Sequence, residues 1–153
     1  MDAETGAMYA EFTAGQTAEV QAAIDDSLVV DPAAILVTLL ALDGDVPVGH
    51  TALRPVVPQS TVSTSSTAEA TAEALEVKKV FVPESARGRG VARLLMLEAE
   101  AIARDRGVAS LVLQTGPLQV PAIRLYEDLG YVLIPAFGKY GVIPGALCYE
   151  KVL

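Results

Sequence analysis

The sequence predicts a mixed α/β fold, in which a central sheet of parallel and antiparallel strands has helices on its faces. Three features indicate this: a β-hairpin pattern, a strand that leads through a glycine-rich loop into an amphipathic helix, and a second strand and helix followed by two closing strands. Hairpin and strand–helix units in one chain are typical of a mixed sheet. At 153 residues the chain has the length of one domain, and we predict a single domain over residues 1–153.

The N-terminal part of the chain predicts a helix and a hairpin. Apolar residues recur at helical spacing over residues 17–28, after a first predicted strand around residues 9–13. Residues 35–42 and 47–53 then predict two strands, joined by a turn at Asp43-Gly44. Asp-Gly is a dipeptide typical of hairpin turns.

Residues 58–74 follow the hairpin and are rich in Ser, Thr and Ala. The segment is too polar and too irregular to be buried, and we interpret it as a loop. It is either a long connection between strands or a flap that folds over substrate.

The segment after this loop predicts a strand and a helix. Residues 76–82 alternate charged and apolar side chains, as strands do, and Pro83 ends the run. A helix is predicted from near Gly88 to a stop at Gly107. Its predicted apolar face consists of Val91, Leu94, Leu95 and Ile102.

A second strand–helix unit and two closing strands complete the pattern. The strand is predicted over residues 111–114, and the helix begins at Pro121, which the first helical turn tolerates. Gly130 ends this helix, and residues 131–134 and 146–152 predict closing strands that pair with each other. The apolar stripe of the helix consists of Ala122, Leu125, Tyr126 and Leu129.

The charge and the cysteine count restrict the partners of the protein. A net charge of -8 disfavours nucleic acid, which binds basic surfaces, and favours a cationic small molecule, although acidic charge also serves solubility alone. The single Cys148 cannot form an internal disulfide, and one His and one Cys offer no cluster of metal ligands. The chain shows no signal-peptide pattern and no apolar stretch long enough to cross a membrane, so we predict a cytoplasmic protein without metal.

The loop between the strand over residues 76–82 and the next helix is Arg87-Gly88-Arg89-Gly90-Val91-Ala92. The first turn of a helix leaves backbone N–H groups unpaired at the positive end of the helix dipole, and it therefore attracts anions. Gly88 and Gly90 allow close approach of the backbone, while Arg87 and Arg89 suit a diphosphate. The loop lacks the Lys-Ser/Thr pair of a P-loop and the three-glycine spacing of a dinucleotide site. It predicts a pyrophosphate site, and the alternative is a glycine-rich turn with solvated arginines.

This loop resembles the acetyl-CoA signature of the GNAT superfamily of N-acetyltransferases, which is Gln/Arg-x-x-Gly-x-Gly/Ala. Residues 87–92 fit that signature throughout. The strand before the loop resembles the family's central strand, and residues 122–131 resemble its later helix and strand. The resemblance covers the chain from about residue 35 to the C-terminus. It implies a GNAT-like fold with a splayed sheet, and acetyl-CoA as co-substrate.

The resemblance also implies which residues hold acetyl-CoA. Backbone groups of the central strand would pair with the pantetheine arm as with an added strand. The pyrophosphate would lie on the amides of residues 88–92, and Gln119 stands where the family often has Asn. The predicted cofactor-binding residues are Val80, Phe81, Val82, Arg87, Gly88, Arg89, Gly90, Val91, Ala92, Gln119 and Ala122.

Acetyl transfer to an amine needs a neutral nucleophile, a donor to the carbonyl oxygen and a proton for the CoA thiolate. Tyr126 resembles the family's tyrosine that faces the thiol, and the alternative is a core aromatic. Glu76 resembles a glutamate that takes the ammonium proton through water in several relatives, and the alternative is an exposed strand-end carboxylate. His50 has a better-matched reference pKa for a base, but its strand position favours a structural role. The backbone N–H of Val80 or Val82 is the predicted donor to the carbonyl oxygen.

These observations predict an enzyme that transfers acetyl from acetyl-CoA to a primary amine of a small molecule, peptide or protein. The alternative is a non-catalytic acyl-CoA-binding sensor or interaction module with the same fold, and the acidic charge disfavours a DNA-binding regulator. Lys139 and Tyr140, between the last two strands, either line the acceptor site or lie on the surface. We also predict a homodimer through the C-terminal strands.

Overall fold

The structure is a computed structural model that describes residues 14–56 and 74–153. The strands within these residues are β1 (Val37–Asp43), β2 (Val46–Pro55), β3 (Leu75–Phe81), β4 (Ser110–Thr115), β5 (Val132–Ile134) and β6 (Leu147–Val152). The α-helices are α1 (Ala18–Leu28), α2 (Val91–Asp105) and α3 (Val120–Asp128). The strand predicted around residues 9–13 and nearly all of the loop predicted over residues 58–74 lie outside the described residues.

The six described strands form one mixed sheet in the order β1-β2-β3-β4-β6-β5. β3 and β4 are parallel neighbours, and the other neighbouring strands are antiparallel. The predicted hairpin is present as β1 and β2, and the predicted closing strands are present as β5 and β6, which pair with each other. The predicted mixed sheet flanked by helices is therefore confirmed.

The centre of the sheet opens between β3 and β4. The two strands pair only from Leu75 to Val77 on β3, opposite residues 111–113 on β4, although β3 continues to Phe81. On its other side β3 stays paired with β2, with a register shift beside Lys79, which has a positive φ of 54°. A residue added to one strand bends that strand and increases its twist. The last residues of β3 therefore leave β4, which is the splay that the sequence resemblance implies.

The prediction that the second helix starts near Gly88 is wrong, because α2 begins at Val91. Gly88 and Gly90 have φ angles of 74° and 80°, which no helical residue adopts. Gly90 is the residue that precedes the helix, and the loop turns there before the helical bonds begin.

The predicted apolar face of α2 is wrong at Leu94, which is 65% exposed. At 3.6 residues per turn, Leu94 lies nearly opposite the centre of the stripe that the sheet covers. The buried residues of α2 are Val91, Leu95, Met96, Ala99, Glu100 and Ala103.

Gly49 lies where α2 packs closely against β2. A Cβ atom at Gly49 would lie 2.9 Å from Val91 Cγ1, 3.1 Å from Leu95 Cδ1 and 3.1 Å from the carbonyl oxygen of Phe81. We expect Gly49→Ala to lower the free energy of unfolding by about 1–3 kcal/mol, because the helix must move away from the sheet. Urea denaturation measures this, with Gly141→Ala as the control, since a Cβ atom at Gly141 meets nothing within 4 Å. An equal effect of the two substitutions would contradict the close packing.

Candidate active site

The loop from β3 to α2 presents unpaired backbone donors. The N–H of Leu94 bonds to the carbonyl oxygen of Gly90 at 3.1 Å, and the N–H groups of residues 91–93 precede this bond. Among the described residues no side chain caps this end of the helix. The helix start can therefore bind an anion with its backbone amides and its dipole.

Arginines surround this helix start. Arg87 Nε donates to the carbonyl oxygen of Val82 at 3.0 Å, which orders the loop. Arg89 pairs with Asp43 at 2.8 Å, and both side chains are more than half exposed. An exposed ion pair contributes at most about 1 kcal/mol, so Arg89 can exchange Asp43 for a stronger anion at little cost. These contacts leave open the alternative of solvated arginines that the sequence also allowed.

Val80 and Phe81 end the splayed strand and Val82 directly follows it, and all three are half-buried. The pairing of β3 with β4 has ended before them, so β4 does not use their backbone groups. The Phe81 ring lies 5.7 Å from the His50 ring across the β2–β3 pair. This contact is what a structural histidine makes, as the strand position of His50 suggested.

Gln119 lies on the other side of the gap. It directly precedes α3, and its side-chain oxygen accepts a hydrogen bond from the hydroxyl of Thr115 at 3.1 Å. Thr115 is the last residue of β4, so this bond fixes Gln119 at the end of that strand. Ala122 is half-buried and packs against the core.

Tyr126 is part of the hydrophobic core, with 5% of its surface exposed. Its ring lies 6.0 Å from that of Tyr131 and 6.3 Å from that of Tyr149. Burial raises the pKa of Tyr126 to about 12. Its hydroxyl therefore stays protonated at neutral pH and can act as a donor.

Glu76 is buried, so it is not the exposed strand-end carboxylate that the sequence left as an alternative. One oxygen accepts from Arg54 Nε at 2.7 Å, and Arg54 Nη2 lies 2.7 Å from the same oxygen. The other oxygen accepts from the hydroxyl of Tyr140 and lies 3.4 Å from Lys78 Nζ. Glu76 is thus held by two cations and one hydroxyl, an arrangement that compensates a buried charge.

Tyr140 connects this cluster to the rest of the molecule. It lies in a 3₁₀ turn, Gly138–Val142, and is 2% exposed. Its hydroxyl accepts from Lys78 Nζ at 2.6 Å, and burial together with the charge of Glu76 raises its pKa. The sequence left two alternatives for Tyr140, and the one that places it on the surface is wrong.

A cavity of about 430 Å³ opens beside Glu76 and Tyr140. The end of α1, the end of β2 and the 3₁₀ turn supply its walls, and Ser27 joins two of them through hydrogen bonds to Ala23 and Lys139. The described lining residues are Ser27, Val29, Arg54, Pro55, Val56, Glu76, Phe137, Gly138, Lys139 and Tyr140. This volume suits a small ligand.

Arg54 and Lys78 were missed by the sequence reasoning. Arg54 lies opposite Glu76 in the β2–β3 register, and Lys78 is two residues from Glu76 on the same face. The two-residue period of a β-strand could have predicted that Lys78 lies on the same face as Glu76. The pairing with Arg54 requires the strand register, and no local pattern points to the hydroxyl of Tyr140.

Comparison with known proteins identifies the family. The family model described as Acetyltransferase (GNAT) family matches residues 5–131. The chain belongs to the GNAT acetyltransferase family. An IAA acetyltransferase of Azospirillum brasilense is 41% identical over 78 residues, which are 51% of this chain and 51% of that protein. The chain thus spans about half the length of this curated relative, and 34% of an N-acetyltransferase family 8 member of Mus musculus.

Solved structures of this GNAT fold superpose on the chain. A Klebsiella pneumoniae protein assigned as an acyl-CoA N-acyltransferase has a TM-score of 0.64 at 28% identity, over 100% of this chain and 92% of that one. A Bacillus subtilis acetyltransferase in complex with CoA has a TM-score of 0.58 at 19% identity, over 76% of each chain. The second likeness shows the fold alone.

Two absences hold for residues 14–56 and 74–153 of this GNAT protein. No helix there combines the length and the apolar character needed to cross a membrane. No group of three or more His, Cys, Asp and Glu side chains in the same residues could hold a metal ion.

Proposed function

We propose that this protein transfers the acetyl group of acetyl-CoA to a primary amine. The observation that carries the proposal is the gap between β3 and β4. The glycine–arginine loop and the start of α2 follow β3 directly in the sequence, and the chain belongs to the GNAT family. Residues 1–153 act in this proposal as one cytoplasmic domain, in keeping with the buried free thiol of Cys148.

The residues around the gap fit acetyl-CoA. Backbone groups of residues 80–82 take the pantetheine arm as an added strand, because β4 no longer uses them. Amides of residues 88–92 and the side chains of Arg87 and Arg89 hold the pyrophosphate. Gln119, fixed at the end of β4, lines the opposite side. When bound, acetyl-CoA supplies an activated acetyl group.

The cavity beside Glu76 takes the amine. Glu76 is the proton acceptor, and the hydroxyl of Tyr140 links it to the cavity, since Tyr140 both lines the cavity and donates to Glu76. Lys78 and Arg54 compensate the buried charge of Glu76. The hydroxyl of Tyr140 passes its proton to Glu76 and takes one from the ammonium form of the acceptor.

Tyr126 serves as a hydrogen-bond donor to the CoA thiolate in this proposal. With a pKa of about 12 against about 8.5 for a thiol, complete proton transfer from Tyr126 would be uphill by roughly 5 kcal/mol. Tyr126 therefore stabilises the thiolate and does not protonate it. The nitrogen of the amine loses a proton to solvent as the amide forms, and the released thiolate takes its proton from solvent.

We expect Tyr126→Phe to lower kcat by about 10-fold to 100-fold while the Kd for CoA stays unchanged, since one donor to the leaving group is lost. The pH dependence of kcat should keep its shape below about pH 10, because Tyr126 does not titrate there. Steady-state kinetics across pH measure both quantities. An unchanged kcat would return Tyr126 to a purely structural role in the core.

Thiol release from acetyl-CoA, followed across a panel of primary amines, tests the proposed function. We expect release that depends on the amine. Binding of CoA without amine-dependent release from any member of the panel would instead support the acyl-CoA sensor.

A further inference from the structure

The wall of the cavity beside Glu76 exposes a cationic hydrogen-bond donor, although the chain as a whole is acidic. Both oxygens of Glu76 are already engaged, and its side chain is 1% exposed. Glu76 therefore offers no free oxygen to a cationic group on a ligand, and it is linked to the cavity through the hydroxyl of Tyr140. Arg54 is 25% exposed and lines the cavity, so its guanidinium is the charged group that a ligand can reach.

Arg54 has donors to spare. Its hydrogen bonds within the described residues use Nε and Nη2, which bond to Glu76 and, at 3.4 Å, to Tyr140. A guanidinium carries five N–H groups, and those on Nη1 have no partner among the described residues. Burial lowers the pKa of Arg54, but the charges of and hydrogen bonds to Glu76 and Tyr140 together raise it above its usual value, so Arg54 stays cationic.

The negative charges near Arg54 do not cancel the positive charge of the cluster. The inner cluster holds two cations, Arg54 and Lys78, against the single carboxylate of Glu76. At the rim, Lys139 pairs with Asp26 at 2.6 Å, and this exposed pair adds no net charge. The described wall of the cavity therefore favours an anion.

Part of the described wall is apolar. Val29, Val56 and Phe137 line the cavity with Arg54, and the Phe137 ring is held edge-on against Tyr140 at 5.2 Å. An apolar wall beside one charged donor is the usual composition of a small-molecule site that fixes the orientation of its ligand.

We infer that the amine acceptor carries a carboxylate, which Arg54 binds, and an apolar body, which packs against Val29, Val56 and Phe137. This rests on the proposed function and names its substrate class as amino acids and related amino carboxylates. The inferred ligand group is anionic, whereas the net charge of the chain favours a cationic acceptor. The charges of the cavity act at contact distance, while the surface charges are screened.

Matched amine pairs test the inference. L-phenylalanine, β-alanine and 4-aminobutyrate are each compared with their carboxamides, in acetyl-CoA thiol release. We expect at least one carboxylate to exceed its carboxamide by about 10-fold to 100-fold in kcat/KM, the range of a charge-assisted hydrogen bond. Arg54→Lys keeps the charge beside Glu76 but loses the planar fork, so it should reduce that preference. Carboxamides that match or exceed every carboxylate overturn the inference and leave the proposed function intact.

A binding measurement separates the two proposals. Isothermal titration of N-acetyl-L-phenylalanine and of its carboxamide into the full chain, without acetyl-CoA, needs no turnover. If no amine is acetylated, the proposed function fails and the titration alone decides the inference. Binding of the carboxylate at least about 10-fold tighter than the carboxamide supports Arg54 as a carboxylate site. Equal binding, or none, overturns it.

Discussion

Glu76→Gln is expected to lower the free energy of unfolding by about 3 kcal/mol. The substitution keeps the volume of the side chain but leaves Arg54 and Lys78 without their common counter-ion in a buried site. Removing one partner of a buried ion pair costs about 3–5 kcal/mol, because the remaining charge is uncompensated. Partial exposure of Arg54 places the expected loss at the lower end of that range. Urea denaturation followed by circular dichroism measures it.

Glu98→Gln is the matched control, since Glu98 is exposed on α2 and the same charge is removed. Its expected change is within about 0.5 kcal/mol. A loss below about 1 kcal/mol for Glu76→Gln would mean that the cluster is not held together by this carboxylate.

Arg89→Glu is expected to raise the Kd for CoA by about 10-fold to 100-fold. The substitution removes a guanidinium donor and places a carboxylate at the proposed pyrophosphate site, and a charge-assisted hydrogen bond contributes about 1.5–3 kcal/mol. The change should be smaller at high salt, because exposed charges are screened. Isothermal titration of CoA at two salt concentrations measures both effects.

Arg106→Glu supplies the control for Arg89→Glu. It makes the same change of charge at the opposite end of α2, where the helix has ended at Arg106. Fifteen residues at about 1.5 Å per residue separate the two ends by roughly 22 Å, well beyond contact. Equal effects of the two substitutions would show a response to net charge alone and would remove the pyrophosphate from residues 88–92.

The secondary structure could be predicted where local patterns decide it. The alternation over residues 76–82 located β3, and the Asp43-Gly44 turn located the hairpin. The start of α2 was placed too early, because Gly88 and Gly90 form a turn with positive φ before the helix. The exposure of Leu94 could not be predicted from apolar spacing, since the sheet covers only one side of α2.

The candidate site likewise has one part that could be predicted from a local pattern and one part that could not. The glycine–arginine loop is contiguous, so its chemistry could be predicted from residues 87–92 alone. The cluster around Glu76 combines β2, β3 and a 3₁₀ turn, and Tyr140 lies 64 residues from Glu76 in the chain. Contacts of this kind depend on strand register and on the packing of a turn, which the sequence pattern does not encode locally.

The charge of the acceptor could not be predicted from the net charge of the chain. A net charge of -8 describes the whole chain, whereas a ligand in the cavity meets the guanidinium of Arg54. Interactions at contact distance exceed those with exposed charges beyond the Debye length. The proposed substrate class therefore rests on the cavity wall and not on composition.

The most direct test of acetyl transfer uses acetyl-CoA that carries an isotopic label in its acetyl group. The full chain is incubated with this substrate and the amino carboxylates and carboxamides named above, and mass spectrometry and a thiol assay are applied to the same samples. We expect one labelled acetyl group on an amine for every CoA thiol released. Thiol release without a labelled amine, or CoA binding with neither product, would contradict the assignment of this chain as an N-acetyltransferase.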